Sequence, residues 1–478
     1  MIVDVAIVGG GFAGLGLATL LAREGRSFLV LEAKSEPGGV WRDNHYPGVA
    51  CDIESQLYSY SFSPNPDWSR TYAPQREIYA YLRRHADALG DRLWTDAPVT
   101  AATWEPTERR WRIETSMERV VHARALVSAS GLAFHQPVVP ELPGFASFRG
   151  ATFHSARWDH SVPLAGRRVA VIGTGASAIQ IVPAIAPQVA SLTVFQRTAP
   201  WIVPRGDREV PTALKALFRR APATQRALRA AFFARHELLS VALTRKPELM
   251  RYVERATLKE LHRAVRDPVL RDKLTPRYRM GCKRILLSDD YYEALTRPNV
   301  EVTTHAIAEI TASGLRTSDG AHHKVDAIVF ATGFEAANAS PPFAARGTGA
   351  TWDELWKRDP SAYLGTTIRG LPNFFLLVGP NTGLGHNSMI AMMEAQFRYL
   401  RGAFAALDEV GAVELREDAQ RRYNDWLEQR LARTVWASGC QSWYLSKSGR
   451  NTTMWPGSVL EFRHRTRRFD LENYETVA

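Results

Sequence analysis

Cysteine is scarce: Cys51, Cys282 and Cys440 are the only three in 478 residues. They cannot all pair with one another, and none stands in a CxxC or metal-ligand spacing, which fits a reducing cytoplasm and offers no metal site. No uninterrupted apolar stretch is long enough to cross a bilayer. The apolar N-terminus has no basic leader and carries Asp4 inside the run, so it reads as strand and turn, not as a signal peptide. Low-complexity segments and recognised nucleic-acid-binding motifs are missing too. What is present is ordinary for a globular chain, at 45% hydrophobic and 23% charged. Its length suffices for two cores.

Charge is unevenly spread. The net value is +11, yet Arg205 to Arg284 alone holds 21 Lys/Arg against 8 Asp/Glu. Such an excess suits a funnel for phosphates or an anionic surface. The Ala/Leu/Arg periodicity of the same stretch reads better as solvated helix faces, a helical insertion over about 205–275. A weak membrane-surface contact stays open, and nucleic acid gains no support.

Two glycine-rich units organise the rest. Ile2 to Val8 is a β-rich run, followed by Gly9, Gly11 and Gly14, a helical pattern, and a second apolar run that ends at Glu32. Strand, glycine turn, helix, strand and terminal acid form a dinucleotide-binding βαβ unit. The glycines permit a tight turn and close approach of a pyrophosphate to the helix N-terminus. Glu32 stands where an acid binds a ribose 2′-OH, which suits FAD. The pattern restarts with Arg168 to Ile172, Gly173, Gly175 and Ala178, and the following strand ends at Arg197 and Thr198. A guanidinium and a hydroxyl at that place suit the 2′-phosphate of NADPH, with Lys283 as a second cation. The predicted class is α/β with two Rossmann-like dinucleotide-binding domains. Residues 1–147 and 335–478 form the discontinuous FAD domain, and residues 148–334 the NADPH domain with its insertion.

Between the two turns lies a segment with Phe148, Gly150, His154, Trp158 and Asp159. It resembles the fingerprint of type I Baeyer–Villiger monooxygenases, which use FAD, NADPH and O2 to turn ketones into esters or lactones. Related N- and S-oxygenating flavin monooxygenases share the Phe, Gly and His but usually end in an aromatic residue plus Lys or Arg. The resemblance implies a glutathione-reductase-like two-domain fold and a peroxyflavin attacking a small-molecule ketone, with sulfoxidation as a side activity. It places this segment as a linker, with His154 as a hydrogen-bonding pivot in preference to a base.

Further motifs extend the resemblance. Gly38-Gly39-Val40-Trp41 and Tyr46-Pro47-Gly48, ending at Asp52, look like the family's GGxW…PG…D segment. There Gly39 and Trp41 are expected at the flavin, and Asp52 is expected to pair with the catalytic arginine. Gly281-Cys282-Lys283-Arg284 is similar to the Lys-Arg element, which makes Arg284 that arginine. A permanently charged guanidinium is needed there to keep the peroxide anionic and to stabilise the tetrahedral adduct. Thr332 in Ala331-Thr332-Gly333-Phe334 and Asn387 at a helix start match general features of these flavoproteins. Ser442-Trp443-Tyr444-Leu445 resembles the mobile substrate loop, where Trp443 reads equally as substrate contact or core. The run after it departs from the cyclic- and aryl-ketone members and leaves the ketone open, and no motif sets the oligomeric state. The rivals are an N- or S-oxygenating flavin monooxygenase and, from another class, a non-catalytic flavin redox sensor or membrane-surface binding protein.

Overall fold

Two parallel β-cores dominate the computed structural model, which describes residues 1–131, 136–338 and 340–477. The first sheet runs in the order Ala344–Arg346, Val99–Glu105, Arg110–Thr115, Val120–Ser128, Ile2–Val8, Phe28–Leu31 and Leu93–Trp94. Phe374–Leu376 joins it on the C-terminal half of Val120–Ser128. Ile2–Val8 pairs in parallel with both neighbours, and its apolar residues after Ile2 are covered on both faces, as parallel strands require. Val99 to Ser128 supplies the antiparallel strands that its alternation predicts.

The second sheet is wholly parallel, in the order Val300–Thr303, Ser191–Phe195, Arg168–Ile172, Ala327–Phe330 and Ala151–His154. The fingerprint segment thus enters as an edge strand, paired from Ala327↔Ala151 to Phe330↔His154. A strand made of residues 327–330 brings the chain back beside the glycine turn at Gly173.

Helices Thr212–Arg220, Pro222–Thr244, Met250–Ala264 and Pro268–Leu274 make up the Arg-rich stretch. Their charge is not all solvated, contrary to the sequence reading. Arg229 on the second of them donates to the carbonyls of Gln56 and Leu57, both at 3.0 Å, and of Ser59 at 2.7 Å. Burial there lowers its pKa. Amphipathic periodicity shows which face is polar, not whether another segment's carbonyls cover it.

Cys282 and Cys440 form a disulfide, their Cα atoms 6.2 Å apart, while Cys51 is a buried free thiol. Three cysteines cannot all pair, but the spacing that suggested a reducing cytoplasm gave no sign of this bond, because 158 residues separate the two. The bond joins the turn before Arg284 to the run before Trp443. Closing so long a loop is worth about 2–4 kcal/mol. Reduction, or Cys440→Ser, is therefore expected to lower the calorimetric midpoint by about 5 °C. An unchanged midpoint would show that the bond adds nothing to stability. No helix among the described residues is long and apolar enough to cross a membrane.

Candidate active site

The first glycine turn makes an open cradle. Gly9 has φ +111°, and a Cβ there would meet Ala129 O at 2.6 Å. A Cβ on Gly14 would overlap Gly9 O, so both positions exclude a side chain. At Gly11 a Cβ would find only Gly39 Cα, at 3.7 Å, so two glycine backbones face each other across the cradle. Helix Phe12–Arg23 starts here without a side-chain cap, leaving its first N–H groups to an external acceptor. Glu32 is buried, and its Oε2 accepts from Gly10 N at 2.8 Å. Its Oε1 accepts from Lys34 N at 2.9 Å and Arg42 Nη1 at 3.0 Å. Arg42 has no part in the sequence expectation, although it lies next to Trp41. The Trp41 indole N–H donates to Tyr58 Oη at 3.1 Å, which sets the ring edge-on to Tyr58.

The second cradle repeats the first. Gly173 also has φ +111° and abuts Ala331 O, whereas nothing lies within 4 Å of a Cβ on Gly175. Helix Ala178–Ile185 likewise begins without a side-chain cap. Thr174 Oγ1 donates to Thr198 O at 3.0 Å, closing the turn onto the strand end. Arg197 and Lys283 meet beyond it. Burial first, and the Arg197 charge second, lower the Lys283 pKa, and its ammonium lies 5.0 Å from the Tyr278 ring centroid. Neither cation forms an ion pair among the described residues, which leaves both for an anion.

Arg284 and Asp52 are joined by a hydrogen-bonded ion pair between Nη2 and Oδ2. The pair is partly open, with side-chain exposures of 38% and 31%. The Asp52 charge, outweighing burial, raises the guanidinium pKa further, so the cation is permanent. Tyr46 and Tyr444 lie near Arg284, and both are buried. The loop therefore turns Tyr444 towards the arginine, while Trp443 stands edge-on to Tyr444 at 4.5 Å and is 36% exposed. Gln180, on the helix of the second cradle, accepts from Tyr46 Oη at 3.0 Å and donates to Ala50 O at 3.0 Å. It ties the second unit to the segment before Asp52. Sequence reasoning missed it, since a Gln inside an apolar helix carries no spacing signal.

Other predicted residues serve as scaffolding. A Cβ on Gly150 would strike Asp326 O and the Phe148 ring. His154 is buried, its Nδ1 accepts from Ala156 N at 3.1 Å, and its Nε2 has no hydrogen-bond partner. Burial lowers its pKa, with the Gly333 backbone opposing, so the ring is kept neutral. Trp158 packs edge-on against Phe153 at 4.8 Å. Asp159 is exposed and accepts from Ser161 N at 2.9 Å and Ser161 Oγ at 2.6 Å. The Thr332 hydroxyl donates to Val138 O. Asn387 spends its side chain elsewhere than expected. Its Nδ2 donates to Glu237 Oε1 at 2.9 Å and its Oδ1 accepts from Ser388 N at 2.7 Å, so only its backbone is left at the helix start.

Beside Asn387, His386 is buried with neither ring nitrogen hydrogen-bonded, and Glu237 Oε1 lies 3.8 Å from its Nε2. Burial first, then the His236 charge, pushes its pKa down to about 3 from 6.5. Below pH 6.5 the unfolded chain binds a proton that the folded one refuses, so stability falls as pH drops towards about 3. The slope from this group is about 1.4 kcal/mol per pH unit. Urea midpoints measured at neutral and mildly acid pH are expected to fall accordingly, and His386→Leu to flatten the fall. An equal fall in the variant would assign the acid sensitivity to other groups.

Two open glycine cradles and one partly exposed arginine–aspartate ion pair define a class: an α/β oxidoreductase that holds two dinucleotides. The first cradle matches the model described as "NAD(P)-binding Rossmann-like domain" over residues 7–74. Residues 55–336, more than half of the chain, match "L-lysine 6-monooxygenase/L-ornithine 5-monooxygenase". A "Baeyer-Villiger monooxygenase" of Streptomyces coelicolor is 48% identical, over 99% of this chain and 93% of its own length. Among solved structures, oxidised steroid monooxygenase bound to NADP superposes with a TM-score of 0.89 at 32% identity over 100% of each chain. OTEMO in complex with FAD and NADP gives 0.87 at 29% identity over 99% of each. The chain belongs to the Baeyer–Villiger monooxygenase family.

Proposed function

We propose that this protein is an FAD- and NADPH-dependent Baeyer–Villiger monooxygenase that inserts one atom of O2 beside the carbonyl of a small-molecule ketone. The observation that carries the reading is the Asp52–Arg284 ion pair, on a segment that Gln180 of the second cradle's helix grips at Tyr46 and Ala50. The residues fit the cofactors. The cradle of Gly9, Gly11, Gly14 and Gly39, with Glu32 behind it and Trp41 beside it, would hold FAD within residues 1–147 and 335–478. That of Gly173, Gly175 and Ala178, with Arg197, Thr198 and Lys283, would hold NADPH within residues 148–334.

Bound FAD, reduced by NADPH, supplies the electrons that activate O2. The chain supplies the electrostatics. Arg284 remains charged at any working pH, favours the anionic form of an acid bound beside it, and donates to negative charge developing on the former carbonyl oxygen. Asp52 fixes the direction in which Arg284 points. Gln180 holds the second unit's helix against the segment that bears Asp52. Trp443 and Tyr444 border the approach to Arg284, which makes that loop the place where ketone shape is read. A cytoplasmic setting is proposed from the need for NADPH, and there the Cys282–Cys440 bond would face reduction.

A ketone panel incubated with NADPH and O2, scored by gain of one oxygen and by identification of the ester, tests the reading. Esters or lactones are expected. The N-hydroxylase match over residues 55–336 makes N-oxygenation the specific competitor. Oxygenation of amines alone, with no ester from any ketone, would overturn the proposal in its favour.

A further inference from the structure

Asp52 sits on a short arch pinned at both ends by backbone bonds. Cys51 N donates to Ala73 O at 3.0 Å, and Ser55 N to Thr71 O at 2.7 Å. Between these anchors the arch carries two carboxylates. Asp52 meets Arg284, and Glu54, only 1% exposed, meets the insertion. Glu54 Oε2 accepts from His236 Nε2 at 2.8 Å. Its Oε1 pairs with Arg235 and accepts from Tyr72 Oη at 3.3 Å. Burial alone would raise the Glu54 pKa, but the His236 bond and charge bring it below the usual value. A carboxylate this deep is tolerated only with such partners, and losing His236 leaves its buried Oε2 without a donor, which the arch must move to hydrate.

The same helix holds the other side of the site. Glu237, next to His236, accepts from Asn387 Nδ2 at 2.9 Å, Val459 N at 3.1 Å and Leu460 N at 3.0 Å. Arg229, two turns earlier, grips the carbonyls of Gln56, Leu57 and Ser59. The Glu54 carbonyl accepts from Leu57 N and Tyr58 N, both at 2.8 Å, so the arch leads directly to the tyrosine that holds Trp41. An insertion that served only as surface would not need three consecutive polar residues, Arg235, His236 and Glu237, turned onto the segments around Asp52 and Asn387.

We propose that His236 and Glu54 are positioning residues for the oxygen-insertion step: helix Pro222–Thr244 sets the arch through Glu54, and the arch aims Asp52 at Arg284. The inference rests on the role given above to Asp52 and Arg284. Neither positioning residue touches the reacting atoms, so their effect must pass through Asp52.

That dependence supplies the test, on the FAD-loaded enzyme. His236→Ala is expected to keep wild-type flavin content and rate of reduction by NADPH, while ester formed per NADPH falls about tenfold or more, the scale of a small misplacement. His236→Gln, whose amide can still donate to Glu54, is expected to restore most of it. In an Asp52→Ala background His236→Ala should add no further loss, since the two act in one line. Crystal structures provide a readout apart from activity: the Asp52–Arg284 contact is expected broken in His236→Ala and kept in His236→Gln. The proposal falls if His236→Ala leaves coupling and that contact intact, or if its loss is just as large on top of Asp52→Ala. Should His236→Ala not fold, Glu54→Gln replaces it with the same expectations. If the wild type makes no ester at all, the function reading fails, and the crystallographic contact alone decides the positioning role.

Discussion

Arg284→Ala is expected to lower the kcat for ester formation by at least about 100- to 1,000-fold, the cost of one preorganised donor at a developing oxyanion. NADPH oxidation should persist, because Arg197, Lys283 and both cradles are untouched. Electrons then reach O2 without reaching the ketone, and hydrogen peroxide should account for the NADPH consumed. Arg284→Lys is expected to rescue little, since a point charge cannot reproduce the fork that Asp52 orients. Stopped-flow reduction beside product analysis separates the two halves. Undiminished ester formation in Arg284→Ala would remove the arginine from the mechanism.

Arg197→Ala is expected to raise the KM for NADPH by about 10- to 100-fold, the equivalent of one charge-assisted hydrogen bond. The maximal rate of flavin reduction should change little. NADH, which has no 2′-phosphate, should be affected far less, so the preference between the coenzymes narrows. Lys283→Ala should act in the same direction, and the two should not be additive, because their charges already act on each other. Salt should weaken NADPH binding more steeply in the wild type than in either variant. Equal losses for NADPH and NADH would show that Arg197 holds something other than the 2′-phosphate.

The parts of the site that the sequence made legible are those set by local backbone rules. Gly9 and Gly173 each adopt φ +111° between a strand and a helix, and only a residue without a Cβ tolerates the carbonyl that abuts them. Glu32 and Arg197 end the strands that follow, at distances which one βαβ unit spans. Residues brought together from different units left no such trace. Cys282 and Cys440 meet across 158 residues, and Gln180 crosses to Tyr46 and Ala50 from 134 and 130 residues away. Asn387 carried a helix-start signal that was real, but its side chain is taken by Glu237, 150 residues distant. A lone polar residue on an apolar helix has no periodicity to betray its partner.

The Arg-rich insertion shows the same division. Its composition dictated helices, and charge alone argued for solvent on their polar faces. Burial of Arg229 and of the Glu54–His236 pair depends on a segment 170 to 182 residues earlier in the chain, which no local pattern encodes. By itself the sequence determined two glycine cradles, the acid and the arginine that follow their second strands, and the reaction family, because glycine turns and strand ends act through a few neighbouring residues. Only the tertiary structure decided which side chains surround Asp52 and Arg284. Low-dielectric ion pairing and hydrogen-bond satisfaction are settled between segments that meet in space, not along the chain.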